Sequence, residues 1–136
     1  ELQLHTDPRD VIDRYLKNKK IIEALARAHN ITPVFVWQPT PVYEYDLQYH
    51  VKKGSGLGKF EFAREGYELF NQYRKEHDLG KHFIWCADIQ KNVSKPLYVG
   101  KIHYSAEMSA MIAHCIAEAL KSQNPVAGEP APISLQ

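Results

Sequence analysis

The chain has 136 residues, which is the length of one ordinary domain. Its 17 basic residues stand against 16 acidic ones, and this formal net charge of +1 gives no electrostatic argument for nucleic acid or an anionic membrane as a partner. Hydrophobic residues make up 44% of the chain, and no apolar run approaches the ~18 residues of a membrane span, so the composition is that of a soluble globular protein.

The first part of the chain predicts a helix followed by a buried strand. Thr6 or Asp7 can cap a helix whose first turn holds Pro8, and Asn30 tolerates the left-handed conformation found just past a helix end. Between them, apolar residues recur at helical spacing: Val11, Ile12, Tyr15, Leu16, Ile22, Leu25 and Ala26. Residues 33–37 (PVFVW) are apolar on both faces, which is typical of a parallel strand covered by helices.

Residues 39–58 are expected to form a long loop, and loops of this length in compact domains are usually functional, disordered or moulded onto a neighbour. Its glycine-rich end, residues 54–59 (GSGLGK), invites comparison with a phosphate-binding loop. Lys53 and Phe60 occupy the positions where that motif requires a glycine and a serine or threonine. We therefore expect a flexible surface loop, and a nucleotide-binding function is disfavoured.

The second part of the chain repeats the pattern of helix and strand. A second helix is predicted to end near Gly80, and its apolar stripe consists of Phe60, Ala63, Tyr67, Phe70 and Tyr73. A second buried strand is predicted over residues 83–87 (FIWCA), and a loop over residues 88–100. Ser105 is placed as the N-cap of a third helix, which carries the clearest apolar stripe of the chain.

This order of elements predicts a doubly wound α/β arrangement with only two strands, whereas such sheets normally have four or more. Either further strands lie around residues 42–51 and 97–99, or the chain is part of a larger fold. We expect residues 1–123 to form a single α/β domain or the C-terminal part of one. Residues 124–136 have no core pattern and are expected to be a disordered tail.

The cysteines, histidines and clustered glutamates form no recognisable catalytic or metal-binding motif. Cys86 and Cys115 lie in apolar stretches and are predicted to be reduced core thiols, which leaves the compartment open. None of the seven histidines has metal-ligand spacing, so no metal or cofactor is predicted. Glu61, Glu65 and Glu68 are interleaved with basic residues and are interpreted as a solvated helix face.

His103 is the candidate catalytic residue. It follows the loop that leaves the second strand and comes just before the N-cap of the last helix. In an open α/β sheet, ligands bind outside the carboxyl ends of the strands, so a histidine on such a loop is well placed to act as a general base. The alternative is a surface or packing histidine at a helix start.

Residues 101–105 (KIHYS), followed by an Ile-Ala pair at 112–113, resemble the last conserved block of the SGNH (GDSL) hydrolases. In that family the block reads Asp-x-x-His, then a small polar residue, then a C-terminal helix with an Ile-Ala-like pair. Residues 34–39 (VFVWQP) resemble the strand and turn that precede the block. The likeness covers most of residues 8–121.

The resemblance implies a three-layer α/β/α flavodoxin-like fold and the hydrolysis of esters or acyl groups by a Ser-His-Asp arrangement. A small-molecule ester or acylated compound would be the substrate, and no cofactor is implied. His103 would be the base that takes the proton from a serine hydroxyl, because a serine hydroxyl is too weak a nucleophile by itself.

The sequence departs from the family pattern at the other catalytic positions. Gly100 stands where the catalytic acid is expected, and Met108 stands where the family usually has glycine. No Gly-Asp-Ser nucleophile block and no Gly-x-Asn-Asp oxyanion block occurs. Residues 1–6 have neither an initiator Met nor a signal pattern. We expect either the C-terminal portion of a longer hydrolase, whose N-terminal half is missing or lies on a partner chain, or a degenerate relative that has lost its chemistry. These 136 residues alone are expected to be inactive.

A non-catalytic α/β binding module is the alternative hypothesis. In this interpretation the aromatic 39–58 loop binds a protein partner or a carbohydrate. Trp37, Tyr43, Tyr45 and Tyr49 would supply an amphipathic contact surface. The same side chains can instead pack against the core, and the packing interpretation is favoured.

Overall fold

The computed structural model describes residues 7–52, 57–60 and 62–123. The predicted tail at 124–136, most of the glycine-rich segment and Glu61 lie outside the described residues. The described elements, in chain order, are α1 (Pro8–Ala28), β1 (Phe35–Trp37), α2 (Ala63–Glu76), β2 (Phe83–Trp85) and α3 (Ala106–Gln123). Two single-turn 3-10 helices, Leu47–Tyr49 and Gly58–Phe60, lie between β1 and α2. The predicted order of helices and strands is therefore confirmed.

The predicted helix ends are set by local hydrogen bonds. The Asp7 side chain accepts from the backbone N–H of Arg9 at 2.8 Å, and Pro8 occupies the first helical position. Asn30 adopts a left-handed conformation with φ 56° just past α1. At the start of α3, Ser105 Oγ accepts from the backbone N–H of Met108 at 3.1 Å. Each of these features follows from a local sequence signal.

The sheet consists of β1 and β2, which pair in parallel with Val36 opposite Ile84. Residues 42–51 contain turns and a 3-10 helix, and residues 97–99 take part only in an isolated bridge. The hypothesis of further strands at these two places is therefore wrong for the described residues. The chain is a mixed α/β protein with three helices and a two-stranded parallel sheet.

One face of the sheet carries an aromatic layer that packs against α1 and α2. Phe70 of α2 is completely buried, and its ring centroid lies 4.0 Å from that of Trp37 and 6.3 Å from that of Trp85. Tyr15 of α1 meets Trp37 edge-on at 5.0 Å. Phe70 therefore spans both strands, whereas the aromatic contact of α1 to the sheet is with β1.

The opposite face of the sheet meets α3 through a disulfide bond between Cys86 and Cys115. Side chains alternate along a strand, so Ile84 and Cys86 point away from the aromatic layer. The prediction of two reduced core thiols is wrong. The two cysteines are 29 residues apart, and only the packing of α3 across β2 brings them together. A core cluster of Leu97, Tyr98, Met108 and Ile112 lies beside this contact.

The outer edge of β1 has no strand partner in the described residues. Phe35 and Trp37 bond to the β2 side, through Phe35 N–H to His82 and through Trp37 C=O to the N–H of Cys86. In a parallel strand the residue between two such residues directs its N–H and C=O to the other side of the strand. In β1 this residue is Val36, and its N–H and C=O point to the edge that has no partner. The helix α1 also leaves apolar side chains exposed: Val11, Ile21, Ile22 and Leu25.

Candidate functional site

The carboxyl ends of β1 and β2 lie at the same edge of the sheet because the strands are parallel. The chain segments that follow the strands, residues 38–46 and 86–96, begin at this edge. The turn before α3 reaches it as well, since the Tyr104 hydroxyl donates to the Pro39 carbonyl at 2.6 Å. Ligands of open α/β sheets bind at this edge, which makes it the candidate functional site.

The turn that carries His103 is closed by backbone pairing. Tyr98 and Tyr104 form an isolated antiparallel bridge, and the N–H of Val99 donates to the carbonyl of His103 at 2.9 Å. Residues 100–102 form the tip of the turn. His103 therefore belongs to a short paired segment, and this segment contacts the core through Tyr98, which packs with Met108 of α3.

His103 is exposed, and its ring lies against Gly100. A Cβ atom placed on Gly100 would be 3.1 Å from Nδ1 of His103. Nδ1 thus faces the position from which a side chain at residue 100 would extend. Within the described residues no hydrogen bond is made to the His103 ring. The structure therefore brings the predicted base next to the predicted acid position, and that position has no side chain.

A second histidine supports this turn from inside the protein. His50 is only 2% exposed, and the N–H of Lys52 donates to its Nδ1 at 3.1 Å. Its Nε2 therefore carries the hydrogen and faces the Lys101 carbonyl at 3.2 Å. The His50 ring also packs against Tyr98. Sequence analysis missed this residue because its partner is 51 positions away and no local motif marks it.

Half-buried tyrosines of α2 and of the turn before α3 donate hydrogen bonds to the segment that follows β1. The Tyr67 hydroxyl donates to the Gln38 carbonyl at 2.8 Å, as Tyr104 does to Pro39. Burial raises the pKa of Tyr67 and of Tyr104 above the ordinary value of tyrosine, and the nearby Tyr104 adds to the effect on Tyr67. Both phenols therefore stay protonated at neutral pH and act as hydrogen-bond donors that hold the loops in place.

Gln90 is completely buried, and its side chain hydrogen-bonds to the loop after β1. Its Nε2 donates to the carbonyls of Thr40 and Tyr43, and its Oε1 accepts from the Tyr98 hydroxyl at 2.6 Å. One amide side chain thus joins the loop after β1 to the segment after β2. Gln90 had no signal in the sequence, because both of its partner segments are distant in the chain.

The aromatic residues proposed as a binding surface are mostly packed. Trp37 belongs to the aromatic layer, and Tyr43 is only 6% exposed. Tyr45 and Tyr49 are half-buried, and the Tyr45 hydroxyl donates to the Lys95 carbonyl at 3.1 Å. The packing interpretation is confirmed for Trp37 and Tyr43, whereas Tyr45 and Tyr49 stay partly exposed.

A groove of about 740 Å³ opens at the same edge of the sheet. Its walls are residues 42–46, one face of α2 and residues 91–94. His103 does not line this groove. The carboxyl edge thus presents two separate features, the exposed His103 turn and the groove.

The described residues contain no group of three His, Cys, Asp or Glu side chains that could hold a metal ion. Of the helices in this part of the chain, none combines the length and the apolarity needed to cross a bilayer.

Comparisons of the chain with protein-family models, curated proteins and solved structures found no match. No family is assigned on this basis, and the resemblance to SGNH hydrolases rests on the sequence motifs described above.

Proposed function

We propose that the chain is the base-bearing, C-terminal portion of an SGNH-type hydrolase that cleaves ester or acyl bonds, with His103 as the general base. One observation carries the proposal: Nδ1 of His103 lies against Gly100, and a Cβ atom placed on that glycine would be 3.1 Å away from it. In a Ser-His-Asp triad the acid contacts Nδ1 and the other ring nitrogen takes the serine proton. The spacing of the Asp-x-x-His motif requires this proximity.

The proposed fold is a three-layer α/β/α sandwich of the flavodoxin type, of which the described elements form a part. The helices α1 and α2 cover one face of the sheet and α3 covers the other. The open edge of β1 leaves room for more parallel strands, and the exposed apolar residues of α1 would be covered by them. The serine and the oxyanion donors would come from that additional polypeptide.

Gly100 weakens this proposed triad. Without a carboxylate on Nδ1, the imidazole has no group among the described residues to fix its tautomer or to stabilise the imidazolium ion. In serine proteases, disabling the acid lowers the rate by ~10⁴-fold. We therefore propose a poorly active or inactive relative of the family, whose remaining machinery is the base.

The test is to fuse a segment carrying the Gly-Asp-Ser and Gly-x-Asn-Asp blocks of an SGNH hydrolase ahead of α1 and to assay short-chain p-nitrophenyl esters. In this fusion with Gly100→Asp as the parent, His103→Ala should lower kcat/KM by about 10²–10⁴-fold, the usual contribution of a general base. His114→Ala is the matched control, because His114 is an exposed histidine of α3 and should leave the rate unchanged.

Equal hydrolysis by the His103→Ala variant and its parent would contradict the assignment. A fusion that keeps the disulfide and its helical circular dichroism but hydrolyses no ester, with either glycine or aspartate at position 100, would contradict it as well.

A further inference from the structure

The groove at the carboxyl edge has the size and position of a ligand site. Its volume of about 740 Å³ falls within the ~300–1,000 Å³ of pockets that hold small molecules. The loops after both parallel strands contribute to it, as do Arg64, Glu68 and Asn71 of α2. Because His103 lies outside the groove, the inference does not rest on the proposed hydrolase function.

The two loop walls are joined by an ion pair between Lys91 and Glu44, with Nζ and the carboxylate 3.0 Å apart. Both walls contain a residue in the left-handed region, Glu44 with φ 53° and Asn92 with φ 62°. Asparagine adopts this conformation readily, whereas for glutamate it is strained. The two loop walls of the groove are thus in direct contact through this ion pair.

The groove presents hydrogen-bonding groups that the described residues leave unused. Arg64 and Glu68 have no ion-pair or hydrogen-bond partner in this part of the chain. Asn71 accepts from Arg74 Nε through Oδ1 at 2.8 Å, which leaves its amide N–H groups as donors. The hydroxyl of Tyr43, a residue 94% buried, also has no hydrogen-bond partner among the described residues.

The charges of the groove nearly balance. Three carboxylates line it, those of Glu44, Asp46 and Glu68, together with the cations Arg64 and Lys91. A strongly charged ligand would be repelled by some of these side chains and attracted by others, so the groove does not favour either sign of charge. A hydroxyl group both donates and accepts hydrogen bonds, so a mixed set of donors and acceptors suits a ligand with many hydroxyls. Half-buried Tyr45 adds an aromatic ring to the lining.

We propose that this groove binds a neutral saccharide. Glu68 accepts from sugar hydroxyls, while Arg64 and the amide of Asn71 donate to them. The binding site is thus a polar groove whose lining includes residues of α2 and of the segment after β2, rather than an exposed aromatic loop.

The test uses the 136-residue chain and two-dimensional ¹H–¹⁵N NMR. Cellotriose, xylotriose, mannotriose and N,N′,N″-triacetylchitotriose are titrated separately, and oligogalacturonate serves as the anionic counterpart. At least one neutral sugar should produce saturable shifts concentrated in residues 42–46 and 91–94. Asn71→Ala should weaken its binding by about 3–100-fold, as expected for the loss of a hydrogen bond. Glu68→Gln should weaken it by about 3–10-fold, because a neutral amide oxygen accepts a weaker hydrogen bond than a carboxylate does.

Glu65→Gln is the matched control, because Glu65 is an exposed carboxylate of the same helix that does not line the groove. It should bind the sugar as the parent does, and all three variants should keep the parent spectrum outside α2. The proposal is overturned if no neutral sugar shifts these residues, if oligogalacturonate binds more tightly, or if Glu68→Gln and Asn71→Ala bind as the parent does.

Discussion

Buried polar side chains of this protein fall into two groups, those with full hydrogen bonding and those with none. Gln90 and His50 use both ends of their side chains. The hydroxyl of Tyr15 and the indole N–H groups of Trp37 and Trp85 are buried without a partner among the described residues. A buried donor without a partner destabilises the fold, because it loses its hydrogen bond to water.

Tyr15→Phe should therefore stabilise the protein. The phenyl ring keeps the contacts to Trp37 and Phe70, while the unpaired hydroxyl is removed. We expect the free energy of unfolding at pH 8 to rise by roughly 1 kcal/mol, measured by urea denaturation. Burial, together with the Glu23 carboxylate, also raises the pKa of Tyr15 to about 12. In the unfolded chain the Tyr15 phenol ionises near pH 10. The parent therefore loses free energy of unfolding between pH 10 and about 12, because its unfolded state ionises first. The difference in stability between Tyr15→Phe and the parent should grow over this pH range.

Tyr98→Phe is the control for this prediction, because it removes a buried hydroxyl that is hydrogen-bonded. It leaves Oε1 of Gln90 without a donor and should lower the free energy of unfolding by about 1–3 kcal/mol. If Tyr15→Phe destabilises the protein as much as Tyr98→Phe does, the Tyr15 hydroxyl has a partner in solution and the account of this site is wrong.

The helices and strands themselves could be predicted from short-range sequence patterns, and their ends could be predicted in part. The strand β2 ends at Trp85, two residues before the predicted end, because the N–H of Cys86 makes the last bond to β1. The helix α2 begins at Ala63 rather than near Phe60, since residues 58–60 form a separate 3-10 turn. The disulfide could not be predicted, because it depends on how α3 packs on the sheet.

Reduction of the Cys86–Cys115 bond should destabilise the connection between β2 and α3. The bond spans 29 positions of sequence. Closing a loop of this length restricts the unfolded chain and contributes about 3–4 kcal/mol to stability. We expect the free energy of unfolding to fall by this amount when dithiothreitol is added, with circular dichroism as the measurement.

The double variant Cys86→Ala/Cys115→Ala controls for direct effects of the reductant, and its stability should not respond to dithiothreitol. A parent protein that is equally stable with and without reductant would show that the bond is absent in solution or that it stabilises nothing. Disulfides persist in oxidising environments, so the folded state described here belongs to such conditions.

At the scale of the whole molecule, the described residues form a two-stranded parallel sheet with helices on both faces, and neither outer edge pairs with a further strand. The α/β class could be predicted, because periodicity and element order are local properties of the sequence. The groove could not be predicted, since its walls come from three separate segments. His50 and Gln90 could not be predicted either, because their hydrogen bonds join residues about 50 positions apart.

We propose that His103 and residue 100 hold the base and acid positions of a disabled catalytic triad. Gly100 does not have a positive φ, so a side chain there meets no backbone strain, although the His103 ring must move by a few tenths of an ångström to admit one. The direct measurement is kcat/KM for ester hydrolysis by the fusion protein with Gly100→Asp. The isosteric Gly100→Asn, which crowds His103 equally but carries no charge, is the control.

We predict that Gly100→Asp raises kcat/KM by at least about tenfold, a fraction of the ~10⁴-fold that the acid contributes in serine proteases, and that Gly100→Asn does not. A folded Gly100→Asp protein that is no faster than its parent, or a Gly100→Asn protein with the same gain, would contradict the claim.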